Sequence, residues 1–245
     1  MEQIPPASNA TNQPGPTPPY ATLPVAALLT LSGGFLDAFT WIGHGHVFAN
    51  AMTGNVVLLG VFATAGNWAQ AWRHLPPIIA FICGVLTARL IGRGASPPLL
   101  RYPGLTSLLV EIVFLFGAAW LPASFPDLPL VLGLSFVAAL QNSSFPKVRD
   151  RAYNSVMTTG NLRQFADGLF LIFQPGQRRE GLEQACIFGM ICFHFLLGAI
   201  LGAICTPRMG NLALLVPALL LTLILLRIHA GLRRYRRTSV AIGTP

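Results

Sequence analysis

Along this chain, long apolar runs alternate with short polar ones. Nearly uncharged stretches occur at about 23–43, 47–66, 76–92, 104–121, 129–145, 185–206 and 210–228, most of them close to the roughly 20 residues that a membrane-spanning helix needs. Residues 152–173 form an eighth, weaker stretch. The pattern predicts an all-α fold: a polytopic membrane helix bundle of 6–8 membrane segments, with the lipid bilayer as its solvent. Residues 1–22, "MEQIPPASNATNQPGPTPPYAT", have no basic n-region and no apolar h-region, so they read as a disordered Pro-rich tail and not as a signal peptide. A single transmembrane domain is then expected over 23–228, followed by a basic tail over 229–245.

Composition excludes an ordinary soluble globule. Hydrophobic residues make up 53% of the chain and charged residues 10%, against a usual charged share of roughly 25%. The formal net charge of +8 does not point to nucleic acid, because the cations lie between and beyond the apolar runs and not on one soluble basic face. Arg227, Arg233, Arg234, Arg236 and Arg237 directly follow the last run, which places the C-terminus in the cytoplasm. Cys83, Cys186, Cys192 and Cys205 sit inside apolar runs without paired C-x-x-C spacing; they read as buried packing residues, not as disulfides or metal ligands.

The polar residues inside the apolar runs repeat. "FANAMTGNVVLLG" carries Thr53-Gly54-Asn55, and "NSVMTTGNLRQF" carries Thr159-Gly160-Asn161. Before them stand Leu36-Asp37-Ala38 and Leu140-Gln141-Asn142; after them come a Phe81, Gly84, Ala88 series and a Phe195, Gly198, Gly202 series, whose small residues let helices approach closely. This common order predicts an internal duplication, with halves of about 23–121 and 129–228.

The distribution of the 16 Lys and Arg tests how many segments cross. With eight spans the cations divide almost evenly between the two sides. If neither Thr-Gly-Asn segment crosses, six spans remain, and only Arg73 and Arg208 lie opposite the C-terminal tail; a seven-span version, in which the second copy alone fails to cross, gives the same bias. Six spans would make the halves an inverted pair with one broken or re-entrant segment each. The sequence is compatible with six, seven or eight spans.

"GGFLDAFTW" at 33–41, "FANAMTGNVVLLG" at 48–60, "ALQNSSF" and "TTGNL" resemble the YoaK family of bacterial membrane proteins, a domain-of-unknown-function family (domain of unknown function 1275). The similarity spans about residues 24–228. It departs in the second half, where Gln141-Asn142 replaces the acid and Arg163 follows Asn161. The resemblance implies a bacterial inner (cell) membrane location, multi-pass, and leaves activity unassigned.

Candidate chemistry rests on the few polar groups at depth. Asp37 follows Gly33 and Gly34, and Glu111 lies mid-run; such groups cost several kcal/mol in a bilayer unless paired or hydrated (on the order of 2.5–3.5 on insertion scales). They are candidates for ion or proton coupling, with an ion pair to an arginine such as Arg89 or Arg163 as the structural alternative. Asp37, Thr53, Gly54, Asn55, Asn142, Thr159, Gly160 and Asn161 are the candidate substrate-binding residues. Glycine would permit unwinding, and the hydroxyl and amide would satisfy freed backbone groups or bind a solute; the alternative is helix–helix packing without a ligand. Arg163 and Asp167, four apart, read as an internal ion pair. His44 and His46 have no carboxylate or cysteine near them in sequence, which favours an interfacial role. His194 reads as a packed, hydrogen-bonded histidine, with proton relay as the alternative.

No phosphate loop, H-E-x-x-H, G-x-S-x-G or pair of C-x-x-C motifs occurs, and no nucleophile–base pair is visible, so no enzyme, cofactor or metal is expected. The leading expectation is a small-solute secondary transporter or permease with a small molecule as its partner. A non-catalytic membrane scaffold or accessory subunit is the alternative.

Overall fold

The computed structural model describes residues 18–93 and 103–241, and of residues 93 and 233–241 the backbone only. Its α-helices are α1 (Leu23–Gly43), α2 (Met52–Thr64), α3 (Trp68–Arg93), α4 (Pro103–Ala119), α5 (Asp127–Ser144), α6 (Thr158–Ile172), α7 (Arg178–Met209) and α8 (Leu215–Ala241). A two-residue antiparallel ladder, β1 (Lys147–Val148) with β2 (Arg151–Ala152), interrupts the expected all-α pattern. Arg149 turns this hairpin at φ 53.

Three stretches among the described residues are long and apolar enough to cross a membrane: Leu23–Gly43, Trp68–Gly92 and Arg178–Leu232, the last spanning both α7 and α8. The short helices differ in kind. At 1.5 Å per residue, the 13 residues of α2 and the 15 of α6 reach only about 20 Å, short of the roughly 30 Å hydrocarbon core.

α1 packs along α7 and α3 along α5, α2 lies on α3 and α6 on α7, and α4 packs on α8. Glycine makes the two long contacts intimate. A Cβ on Gly34 would collide with the Phe195 carbonyl, one on Gly198 with the Leu31 carbonyl, and one on Gly84 with the Phe136 carbonyl. The main core joins Phe35 and Phe39 of α1, Leu108 and Leu115 of α4, Leu134 of α5, and Leu221 and Ile224 of α8. The outside is apolar too: Ile79, Ile82, Leu86 and Leu90 of α3 and Leu219, Leu223 and Leu226 of α8 are each more than half exposed, the arrangement suited to a lipid solvent. Cys83 and Cys186 belong to this outer surface and are exposed, which corrects their reading as buried packing residues.

Several boundaries move. α3 starts at Trp68, ahead of the apolar run, with Pro76 and Pro77 inside it. α8 continues through Ala241, past the expected start of a tail at 229, because arginine is a good helix former and a charged continuation costs nothing once outside the apolar layer. Pro19–Ala21 form a 3-10 turn beside α8, where a Cβ on Gly231 would meet Pro19; the rest of the expected N-terminal tail, residues 1–17, lies outside the described residues, as does Arg101.

Candidate functional site

The two Thr-Gly-Asn tripeptides do not break helices; they begin them. Thr53, Gly54 and Asn55 fall in the first turn of α2, and Thr159, Gly160 and Asn161 in that of α6. Neither glycine has a positive φ, so the reading of glycine as the unwinding residue is corrected. The irregular backbone lies just before, in residues 44–51 and 145–157.

Each irregular segment is held by the same device. The buried Asn55 side chain takes both backbone groups of Phe48, donating from Nδ2 to its carbonyl at 2.8 Å and accepting its N–H at 3.0 Å. The buried Asn161 does the same to Asn154, at 2.6 Å and 3.3 Å. An amide carries one donor and one acceptor side, so it can replace a missing ladder partner for both backbone groups of one residue at a depth where water is scarce. A second tie follows for each segment. Asp37 Oδ1 accepts the N–H groups of Asn50 at 2.7 Å and Ala51 at 3.3 Å, and Asn142 Oδ1 accepts the N–H and the hydroxyl of Ser155 at 3.3 Å and 3.2 Å.

The segments enter from opposite ends of the bundle. At one end, His44 Nδ1 lies 2.9 Å from Asp127 Oδ1 at the start of α5, so tertiary structure supplies the carboxylate that the sequence around His44 lacks. At the other end, the Arg149 N–H donates to the Ala21 carbonyl, the Arg149 side chain pairs with Glu183, and Arg151 donates to Gln184 at 2.6 Å. From these ends both segments reach the interior: Asn50 Nδ2 donates to the Gly33 carbonyl at 3.0 Å, and a Cβ on Gly33 would lie 2.8 Å from the Ser155 carbonyl.

Where they meet there is a cavity of about 560 Å³, lined by Asp37, Trp41, Phe48, Val156 and Phe195 and by the N-cap and first two residues of both short helices: Ala51, Met52 and Thr53, and Met157, Thr158 and Thr159. Neither helix has a side-chain cap. Asp37 is only 5% exposed, and its Oδ2 has no hydrogen-bond partner.

Of the candidate residues, Asp37, Thr53 and Thr159 line this cavity. Gly54 packs on the Phe48 ring and Gly160 meets nothing within 4 Å, while Asn55, Asn142 and Asn161 are occupied by the loops. Glu111 is fully buried on α4 and accepts from Gln141 Nε2 at 2.8 Å; it is off the cavity wall but linked toward it, since the Ser155 hydroxyl lies 3.5 Å from Gln141 Oε1. Among the described residues neither Asp37 nor Glu111 pairs with an arginine. Among the described residues Arg163 and Asp167 are both exposed and form no ion pair, because a solvated i, i+4 pair gains too little to fix two long side chains. Asn50 and Ser155 escaped the sequence reading, although each stands 13 residues after its partner, Asp37 or Asn142, and that matched spacing was the available signal.

A model of the family described as "Protein of unknown function (DUF1275)" matches residues 25–227. The chain is 28% identical over 199 residues to the UPF0700 transmembrane protein YoaK of Bacillus subtilis (strain 168), an alignment covering 80% of this chain and 88% of that relative. No solved structure matches.

Proposed function

The chain belongs to the DUF1275 family and is a membrane protein; from that premise we propose that it is a small-solute secondary transporter of the bacterial inner membrane, with its solute site in the cavity between the two short helices. The observation that carries the reading is the convergence of Thr53, Thr159 and Asp37 on one cavity, reached by two segments that enter from opposite ends.

An internal duplication fits the packing. Exchanging α1–α4 for α5–α8 turns the α1–α7 contact into α5–α3 and the α2–α3 contact into α6–α7, and leaves α4–α8 unchanged; all of these contacts occur. α2 and α6 are then re-entrant, six helices cross, and the halves have inverted topology, an architecture that puts solute sites near the midplane. Arg73 and Arg208 lie at the His44 end, while Lys147, Arg149, Arg151, Arg178, Arg179 and Arg227 lie at the other; charge bias supports reading that other end, with the start of α1 and the end of α8, as the cytoplasmic one. Reporter fusions at the two termini test this: both are active only in the cytoplasm, and a periplasmic C-terminus would refute the assignment.

Uptake by proteoliposomes of a panel of labelled solutes, with Asp37→Asn alongside, tests transport. The wild type accumulates one class and the variant loses coupling. The alternative, a scaffold, draws on Asn55 and Asn161 being committed to their loops. Single cysteines at Thr53 and Thr159 in a cysteine-free background separate the two: a transporter exposes them to impermeant thiol reagents, whereas cysteines inert from both sides, with no uptake, favour the scaffold.

A further inference from the structure

Resting on the transport reading above, we propose that the cavity binds a small monovalent carboxylate together with one proton, the carboxylate at the facing N-termini of α2 and α6 and the proton on Asp37. Both helices are long enough to present a developed dipole, with 13 and 15 residues, and neither has a side-chain cap; both bring their first turn to the cavity, although in α2 the Met52 and Gly54 N–H groups donate to the Asn50 and Ala51 carbonyls at 2.8 Å and 2.9 Å. The hydroxyls of Thr53, Thr158 and Thr159 make no hydrogen bond to the protein among the described residues. Independently of the helix ends, the free Oδ2 of Asp37 is a buried polar atom on the same wall without a protein partner.

Charge balance sets the stoichiometry. Each helix N-terminus carries about half a positive charge, so the two together offset one ionised Asp37. A carboxylate entering alone would add an uncompensated anion at low dielectric; with a proton from bulk water on Asp37, the helix ends are free to hold it. Among the described residues no Lys, Arg or His lines the cavity, so none of them offsets the second charge of a dianion. Trp41, Phe48, Val156 and Phe195 suit an apolar body behind the carboxylate.

The ionisable groups on the elements around Asp37 are engaged or remote. On α7, His194 Nδ1 is 2.7 Å from the Met190 carbonyl; His44 and Asp127 pair at one end; Glu111 on α4 is held by Gln141. Arg163 and Asp167 of α6 and Arg227 and His229 of α8 are exposed and off the cavity wall.

Equilibrium dialysis of radiolabelled benzoate against the full chain in lipid nanodiscs tests the site, with benzamide and benzylammonium as same-shaped neutral and cationic probes and empty nanodiscs subtracted. Benzoate binds saturably and at least about tenfold tighter than either analogue, and its affinity falls about tenfold per pH unit once Asp37 ionises. Asp37→Asn, which keeps the Oδ1 acceptor, binds it without that pH dependence. Thr158→Pro deletes one N–H from the cavity-lining first turn of α6 at the helix position that accepts proline, after an extended Met157 (φ -124, ψ 114), and weakens binding roughly fivefold. Equal binding of the analogues, absence of saturable benzoate binding, or a pH dependence that survives Asp37→Asn would each overturn the proposal. The two readings fail separately: uptake of another solute without benzoate binding sinks the carboxylate assignment alone, whereas proton-linked benzoate binding without transport of any solute sinks the transporter.

Discussion

Residues 44–57 and residues 145–161 do the same mechanical work with different chemistry. In both, a buried asparagine seven residues on grips the N–H and C=O of one residue, and a side chain 13 residues back receives the approach to the short helix. The first segment is propped by an aromatic stack of Trp41 on Phe48, with ring centroids 4.7 Å apart. The second is propped by a polar hairpin tied to α7 through Glu180, Glu183 and Gln184. The first receives its chain on a carboxylate, Asp37, that keeps one oxygen free; the second receives it on an amide, Asn142. What the two segments share is therefore structural, and the ionisable group that only one of them has at this position is the stronger candidate for chemistry.

This comparison can be broken most directly at the asparagines. Asn55→Ala and Asn161→Ala each leave the N–H and C=O of a half-buried residue, Phe48 or Asn154, without these partners, at up to about 1–3 kcal/mol per group; both variants should lose thermal stability in detergent by amounts similar to each other. A large loss in one and none in the other would show that only one segment needs its clamp. Next come the intimate helix pairs. Gly34→Ala in the α1–α7 contact and Gly84→Ala in the α3–α5 contact each force two backbones apart, costing about 1–3 kcal/mol, read as lowered unfolding temperatures; tolerance of either would deny that helix pair its close approach.

A smaller effect sharpens the difference between the tripeptides. A Cβ on Gly54 would lie 2.8 Å from the Phe48 ring, whereas Gly160 has nothing within 4 Å. Gly160→Ala should stabilise by about 0.5–1 kcal/mol through helix propensity, and Gly54→Ala should destabilise. Melting temperatures moving in the same direction would contradict the local packing. The smallest change is expected of Asp37→Asn, which keeps the acceptor for Asn50 and Ala51; its stability should stay within about 1 kcal/mol of wild type while Asp37→Ala loses more. An Asp37→Asn variant as unstable as Asp37→Ala would mean that the negative charge itself holds the segment.

Much of the helical layout was legible in the sequence because burial in lipid demands long apolar runs, and such runs need no knowledge of neighbours to be recognised. The small-residue series were legible for a related reason: Gly84, Gly198 and Gly202 occur at helical spacing, and each does meet a neighbouring carbonyl. The polar residues were visible as anomalies, but their jobs were not. A threonine, a glycine and an asparagine in an apolar run are equally compatible with a broken helix, a packing contact or a ligand site.

The chain's order of residues alone thus determined a bundle of apolar helices and marked two places where polar groups had to be accommodated at depth, since hydropathy and period are local properties. Only the tertiary structure decided which atoms accommodate them. Asp127 reaches His44 across 83 residues, Gln141 reaches Glu111 across 30, and Thr53 and Thr159 face one cavity from opposite ends. A hydrogen bond between distant segments depends on distance and angle within a few tenths of an ångström, and those are set by how helices pack against one another, which no single stretch of sequence contains.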